Sequence, residues 1–262
     1  MAEIFTKLKN KSMTTYFKLF VFIILCLTIN CKSMNKNFEK DTIKTSEGNM
    51  VITFVGHASL FIEFKGMIIH IDPVKEEADY SKLPKADIVL VTHEHFDHFD
   101  TSVINQLFKP GITEIVMTQK SKESAKGIKQ ITIMQNGDIK TIKNIKIEAV
   151  PAYNIINKRP NGMPFHPKGE GNGYIITLAD KRIYIAGDTE NTPEMKDLKN
   201  IDIAFLPMNM PYTMTPEMVA DAAKAFKPKI LYPYHFGSTQ TSKLVELMKN
   251  DKDIEIRIRN MQ

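Results

Sequence analysis

His93, His95, Asp97 and His98 fall within six consecutive positions of the chain, His-Glu-His-Phe-Asp-His. Imidazole nitrogens and a carboxylate in this density suit Zn²⁺ first, with Mn²⁺ or Fe²⁺ as alternatives. The segment follows the apolar run Asp-Ile-Val-Leu-Val-Thr at 87–92, which reads as a short buried strand. In an extended segment, side chains two apart point to the same side. His93 and His95 can therefore grip one ion, and Asp97 continues on that side. His98 turns toward a neighbouring position as the next helix begins. A solvated polar loop is the plain alternative, but it does not call for such a run of ligands at a strand end.

His-x-His-x-Asp-His resembles the signature of the metallo-β-lactamase superfamily, and three further motifs agree in order. These are Ile71-Asp72-Pro73, Gly187-Asp188-Thr189 and Pro233-Tyr234-His235-Phe236. The resemblance covers about residues 50–258. It implies an α/β fold, a four-layer αββα sandwich with two divalent metal ions at one edge. It also implies that Asp188 bridges the ions, that His235 completes the second site, and that Asp72 fixes the tautomer of a ligand histidine from behind. Gly56-His57-Ala58-Ser59 and the phrases VPAYN, HPKGEGNGY and IYIAGDT are similar to a narrower branch. That branch holds ascorbate-6-phosphate lactonase and N-acyl phosphatidylethanolamine phospholipase D.

The third ligand of the first ion has two candidates. Asn154 stands in VPAYN, where relatives often carry His, and His166 lies twelve residues on. An amide oxygen is a weak zinc ligand, so the chemistry favours His166 while chain position favours Asn154, and His166 is the expected ligand. His70, inside a predicted strand, reads as a structural histidine. His57 is open between a structural role and one supporting the metals or moving a proton.

Two such ions would lower the pKa of a shared water toward ~7, giving hydroxide to attack a carbonyl or phosphorus centre. Asp97 and Asp188 would orient it as well as hold the ions. The expected reaction is hydrolysis of a phosphodiester, lactone or related ester, on a small-molecule or lipid-like substrate. Lys158, Arg159 and Lys168 could clamp a substrate anion, although a solvated loop explains them as well. Met208, Met210, Tyr212 and Met214 could line an adaptable pocket or pack in the core. The competing readings are a silent metal-binding envelope protein of the same fold and a di-iron redox protein. The second usually carries Glu where His95 stands, and a flavin domain this chain lacks.

Positioning these residues requires alternating strands and helices. Strands are predicted at 51–55, 59–64, 67–71, 87–92, 114–118, 130–134 and 145–150, with a helix over 101–108. A long Gly- and Pro-rich loop runs from 152 to 171. Strands resume at 173–178 and 182–186 around a turn at Asp180-Lys181, then at 201–206, 229–234 and 254–258. Helices are predicted from Thr215 to Phe226, with Pro216 in the first turn, and over 242–249. Strands come first and strand–helix alternation second in each half, so one domain over 50–262 suffices.

The chain has 262 residues and a net charge of +5, carried by scattered Lys and few Arg. No basic stripe of the kind nucleic acid needs is evident. Its two cysteines, Cys26 and Cys31, lie outside that domain, so no thiolate can serve there as metal ligand or disulfide partner. That also disfavours β-lactamase activity of the commonest subclass. Lys7, Lys9, Lys11 and Lys18 precede the apolar run at 19–29, the pattern of an export signal over residues 1–30. Cys31 follows in a loose lipobox, implying a lipid anchor and a cell-envelope location. Residues 31–49 read as a polar tether.

Overall fold

The computed structural model describes residues 37–262. The segment read as an export signal and Cys31 lie outside the described residues. Among the described residues, no helix is long and apolar enough to cross a membrane.

Fourteen strands among the described residues form two seven-stranded mixed sheets. In the first, β1 (Glu39–Thr45), β2 (Gly48–Gly56), β3 (Ser59–Phe64) and β4 (Met67–Ile71) make an antiparallel meander. To its edge β5 (Ile88–Leu90), β6 (Glu114–Met117) and β7 (Ile131–Ile133) add in parallel. The second sheet repeats the plan. There β8 (Ile139–Ile142), β9 (Ile145–Ala152), β10 (Gly171–Leu178) and β11 (Lys181–Ile185) are antiparallel. Then β12 (Ile203–Pro207), β13 (Ile230–Tyr234) and β14 (Glu255–Ile256) follow in parallel. The helices are α1 (Thr101–Leu107), α2 (Gln119–Ser124), α3 (Pro193–Lys196), α4 (Pro216–Phe226) and α5 (Thr241–Leu247). This is the expected αββα sandwich.

The period-2 rule assigns the faces. On β5 and β6, Ile88, Leu90 and Val116 join the core shared by both sheets. Val89, Ile115 and Met117 point outward instead and pack with Val103, Ile104 and Leu107 of α1. Asp100 caps α1 by accepting from the N–H groups of Ser102 and Val103, so the chain turns into helix two residues after His98. On α4, Thr215 caps the first turn and Pro216 occupies it, as the sequence implies.

Two expectations are corrected. The tether does not extend to residue 49, because β1 pairs with β2 from Glu39 and the compact fold begins at Phe38. An edge strand with one solvated face reads as polar, and only Ile43 and Thr45 of β1 are buried. The β10–β11 turn is Ala179-Asp180, and Lys181 is already in β11.

Candidate metal centre

His57 follows β2, Asp72 follows β4, the His93–His98 segment follows β5, Asp188 follows β11 and His235 follows β13, each at a strand's carboxyl end, while His166 comes from the long loop between β9 and β10. His57, Asp72 and His235 hold left-handed backbones, with φ of 50, 43 and 48°. That conformation is costly for residues with a Cβ and clusters at functional sites. Gly187, at φ +64°, sets up Asp188. A Cβ there would lie 2.9 Å from the Asn172 carbonyl oxygen and 3.1 Å from Thr92 Cβ.

Three sets of ligand atoms converge, each within 4.8 Å: His93, His95 and His166; His57, Asp97, His98 and His235; and His93, His98 and Asp188. His166 Nε2 lies 3.2 Å from His95 Nδ1 and 3.3 Å from Asp188 Oδ2. The same Oδ2 lies 3.5 Å from His235 Nε2, while Asp188 Oδ1 lies 3.2 Å from His98 Nε2. Asp97 Oδ2 stands 3.4 Å from His235 Nε2 and 3.2 Å from His57 Nε2. The structure thus gathers all seven residues predicted from the sequence as ligands, and His57 with them.

The donor set fits divalent cations. Nε2 of His93, His98 and His235 and Oδ1 of Asp188 are buried without a hydrogen-bond partner. Such groups are costly unless something else satisfies them. Burial, with His98 nearby, holds the His93 imidazole well below its usual range, and burial likewise brings His166 down to about 4. Both are therefore neutral and able to ligate. Burial opposes charge on His98 too, yet Asp188 and Asp72 pull it well above its ordinary value. Burial resists ionisation of Asp188, but His235 and His98 keep it well below the carboxylate range. The centre calls for positive charge.

Residues behind the ligands aim them. Asp72 accepts from His98 Nδ1 at 2.8 Å and from the Thr92 backbone N–H and hydroxyl at 2.8 and 2.6 Å. Asn154 Oδ1 accepts from the His166 ring Nδ1 and backbone N–H, so Asn154 stands behind His166 and not among the ligand atoms. Sequence reasoning missed Glu190. It is fully buried and accepts from the backbone N–H groups of Ile155, Ile156 and Asn157, and from Asn154 Nδ2. Its one sequence signal is that it directly follows Asp188-Thr189.

Two cavities, of about 310 and 400 Å³, open beside the cluster and share His95, Arg159, Phe165, His166 and Asp188. The larger also reaches Phe96, Asn209 and Tyr212. Of the residues expected to meet substrate, Arg159 and Tyr212 line a cavity. Lys158 and Lys168 line neither; Lys168 is paired with Glu194 at 2.6 Å and lies over the Tyr153 ring. Met208 and Met214 are core residues, whereas Met210 is exposed. His70 is structural, its Nε2 held by the Pro84 carbonyl oxygen at 2.9 Å.

The profile of the beta-lactamase superfamily domain matches residues 51–235, from β2 to the last histidine of the cluster. The chain belongs to this superfamily. It is 32% identical over 194 residues to a UPF0173 metal-dependent hydrolase of Nanoarchaeum equitans, covering 72% of this chain and 85% of that one. A Ligilactobacillus salivarius member is 33% identical over 199 residues, covering 72% and 86%. A solved Parabacteroides distasonis structure, assigned as a metal-dependent hydrolase, superposes with a TM-score of 0.81 at 47% identity, covering 86% of this chain and all of that one. The protein is accordingly a metal-dependent hydrolase of the superfamily.

Proposed function

We propose that the protein is a binuclear hydrolase of a phosphodiester, lactone or related ester, using two divalent ions, zinc first. The observation carrying this reading is the position of Asp188, with one carboxylate oxygen toward His98 and the other toward His166 and His235. His93, His95 and His166 would hold the first ion, an all-nitrogen set suited to Zn²⁺. Asp97, His98 and His235 would hold the second, with Asp188 between them. Bound there, the ions supply the Lewis acidity that makes water a nucleophile at neutral pH.

The remaining steps belong to the chain's own residues. Asp97 and Asp188 accept hydrogen bonds from the attacking water and set its direction. His57, 3.2 Å from Asp97 Oδ2, fixes that carboxylate. Arg159 has no acidic partner among the described residues. Its guanidinium lies 5.2 Å from the Phe165 ring centroid and donates to the Phe165 carbonyl oxygen at 3.3 Å. It is thus free to bind a substrate phosphate or carboxylate.

Elemental analysis of the chain purified without chelator tests the reading, followed by assay on phosphodiester and lactone panels. Two ions per chain and ester turnover are expected, and Asp188→Ala should lose both an ion and turnover. One ion or none after reconstitution with Zn²⁺ and Mn²⁺ would overturn it.

A further inference from the structure

Among the described residues ten large apolar side chains are exposed, and six of them lie on the segments that border the two cavities: Phe96, Met163 and Tyr212, which line them, and Ile155, Ile156 and Met210 on the same loops. Phe96, inside the ligand motif, is 79% exposed and Ile156 is 73% exposed. The loops that carry them are tied together. Asn157 Nδ2 reaches the Thr213 carbonyl oxygen at 3.2 Å, and the Phe165 and Tyr212 rings meet edge to face at 5.1 Å. Glu190 holds Ile155–Asn157 from below, so the apolar tips are propped outward on a fixed base. A pocket for a small ester does not require side chains this far into solvent. Exposed apolar side chains gathered on neighbouring loops mark a surface that meets something else.

Charge identifies the occupant. Residues 155–165 (IINKRPNGMPF) and 208–214 (MNMPYTM) contain no acidic residue. Lys158 and Arg159 stand among the apolar tips, and neither has an acidic partner among the described residues. Apolar side chains that enter the acyl boundary, flanked by unpaired cations for the headgroups, match an anionic bilayer.

We infer that the rim formed by Phe96 and the 155–165 and 208–214 loops docks on an anionic lipid surface, so that the cleft receives an amphiphilic ester directly from the bilayer. The inference rests on the hydrolase reading for the ester, but not for the docking.

The chain contains no Trp, so a single introduced one reports its own surroundings. Ile156→Trp, on the rim, and Val245→Trp, exposed on α5, are made separately in the full chain. Each is mixed with phosphatidylcholine vesicles containing or lacking phosphatidylglycerol, with bromine-labelled acyl chains as quencher. Emission of the Ile156→Trp chain should shift to shorter wavelength and be quenched with the anionic vesicles, while that of Val245→Trp stays unchanged. Adding Lys158→Ala and Arg159→Ala should lower the docked-to-undocked ratio about thirtyfold, roughly fivefold per cation. The inference is overturned if Ile156→Trp is unquenched on vesicles that carry the chain, or if both reporters respond equally. It is also overturned if Ile156→Trp shifts with protein concentration alone, which would assign the rim to a second copy of the chain. None of these readouts uses turnover, so the docking surface and the hydrolase reading fail separately.

Discussion

Asn154 Oδ1 accepts two hydrogen bonds from one residue, His166: the ring Nδ1–H at 2.8 Å and the backbone N–H at 2.7 Å. The first bond puts the proton on Nδ1 and leaves Nε2 free, 3.2 Å from His95 Nδ1. The second fixes the backbone that carries the ring. One amide thereby sets both the tautomer and the aim of a candidate ligand, a role usually shared by several partners.

Removing that amide should weaken metal binding without removing a ligand atom. Asn154→Ala is expected to reduce affinity for the ion that His93, His95 and His166 would hold about ten- to a hundredfold, the range for groups that orient metal ligands. His166→Ala should release that ion altogether. Competition with a chromophoric chelator separates the two outcomes. Equal metal retention by Asn154→Ala and the unsubstituted chain would remove the orienting role.

Glu190 should prove as important to the loop as Asn154 is to the ring. Its Oε1 accepts from Asn157 N–H and Asn154 Nδ2, and its Oε2 from Ile155 N–H and Ile156 N–H. Glu190→Gln places an amide NH₂ against other donors in either orientation. A loss of about 3 kcal/mol in unfolding free energy is expected, because buried donors are left unpaired. Faster proteolysis within residues 155–165 should accompany it. Denaturant unfolding and limited digestion check both.

Much of the fold and site could be read in the sequence where the pattern was local. Strand alternation, the Thr-Pro start of α4 and the spacing of His93 to His98 are short-range signals. The unseen parts depend on distant partners. β1 is polar because one face is wet, and its Asp41 is half-buried against Arg257 and Arg259, more than two hundred residues away. β8, largely solvated, gives little alternation to detect. α3 was readable and overlooked: Thr192-Pro193-Glu194 repeats the Thr215-Pro216-Glu217 signature that starts α4. His57 and Glu190 carry no spacing signal, because each meets its partners more than thirty residues away.

The backbone before Asp188 should tolerate no side chain. Gly187→Ala combines a left-handed φ with a Cβ 2.9 Å from the Asn172 oxygen, so the strand end must shift and carry Asp188 with it. A displacement near 1 Å at a reacting centre costs about a hundredfold in rate. Turnover should fall by that order. Gly66→Ala, with φ +78° but nothing within 4 Å of the new Cβ, should retain turnover and lose only stability. Equal kcat in the two variants would show that the close approach at Gly187 does not position the carboxylate.

Acid stability should depend on the contact that joins β1 to the end of the chain. Asp41 accepts from Arg259 Nη2 at 2.7 and 2.9 Å and from Arg257 Nη1 at 3.2 Å. Burial pushes its pKa upward, but the Tyr232 hydroxyl and the two guanidinium groups outweigh this and hold it below the ordinary value. A carboxylate whose folded pKa lies below its unfolded value of about 3.9 binds fewer protons in the folded state. It therefore stabilises the fold fully above pH ~5, and that contribution is lost as pH falls through the folded pKa. Asp41→Asn should cost about 2 kcal/mol at pH 7, the scale of a hydrogen bond to a charged group. The gap between variant and unsubstituted chain should narrow steadily below pH 4. Urea unfolding from pH 3 to 8 measures it, and a gap that stays constant across that range would show that ionised Asp41 does not hold β1 to the sheet.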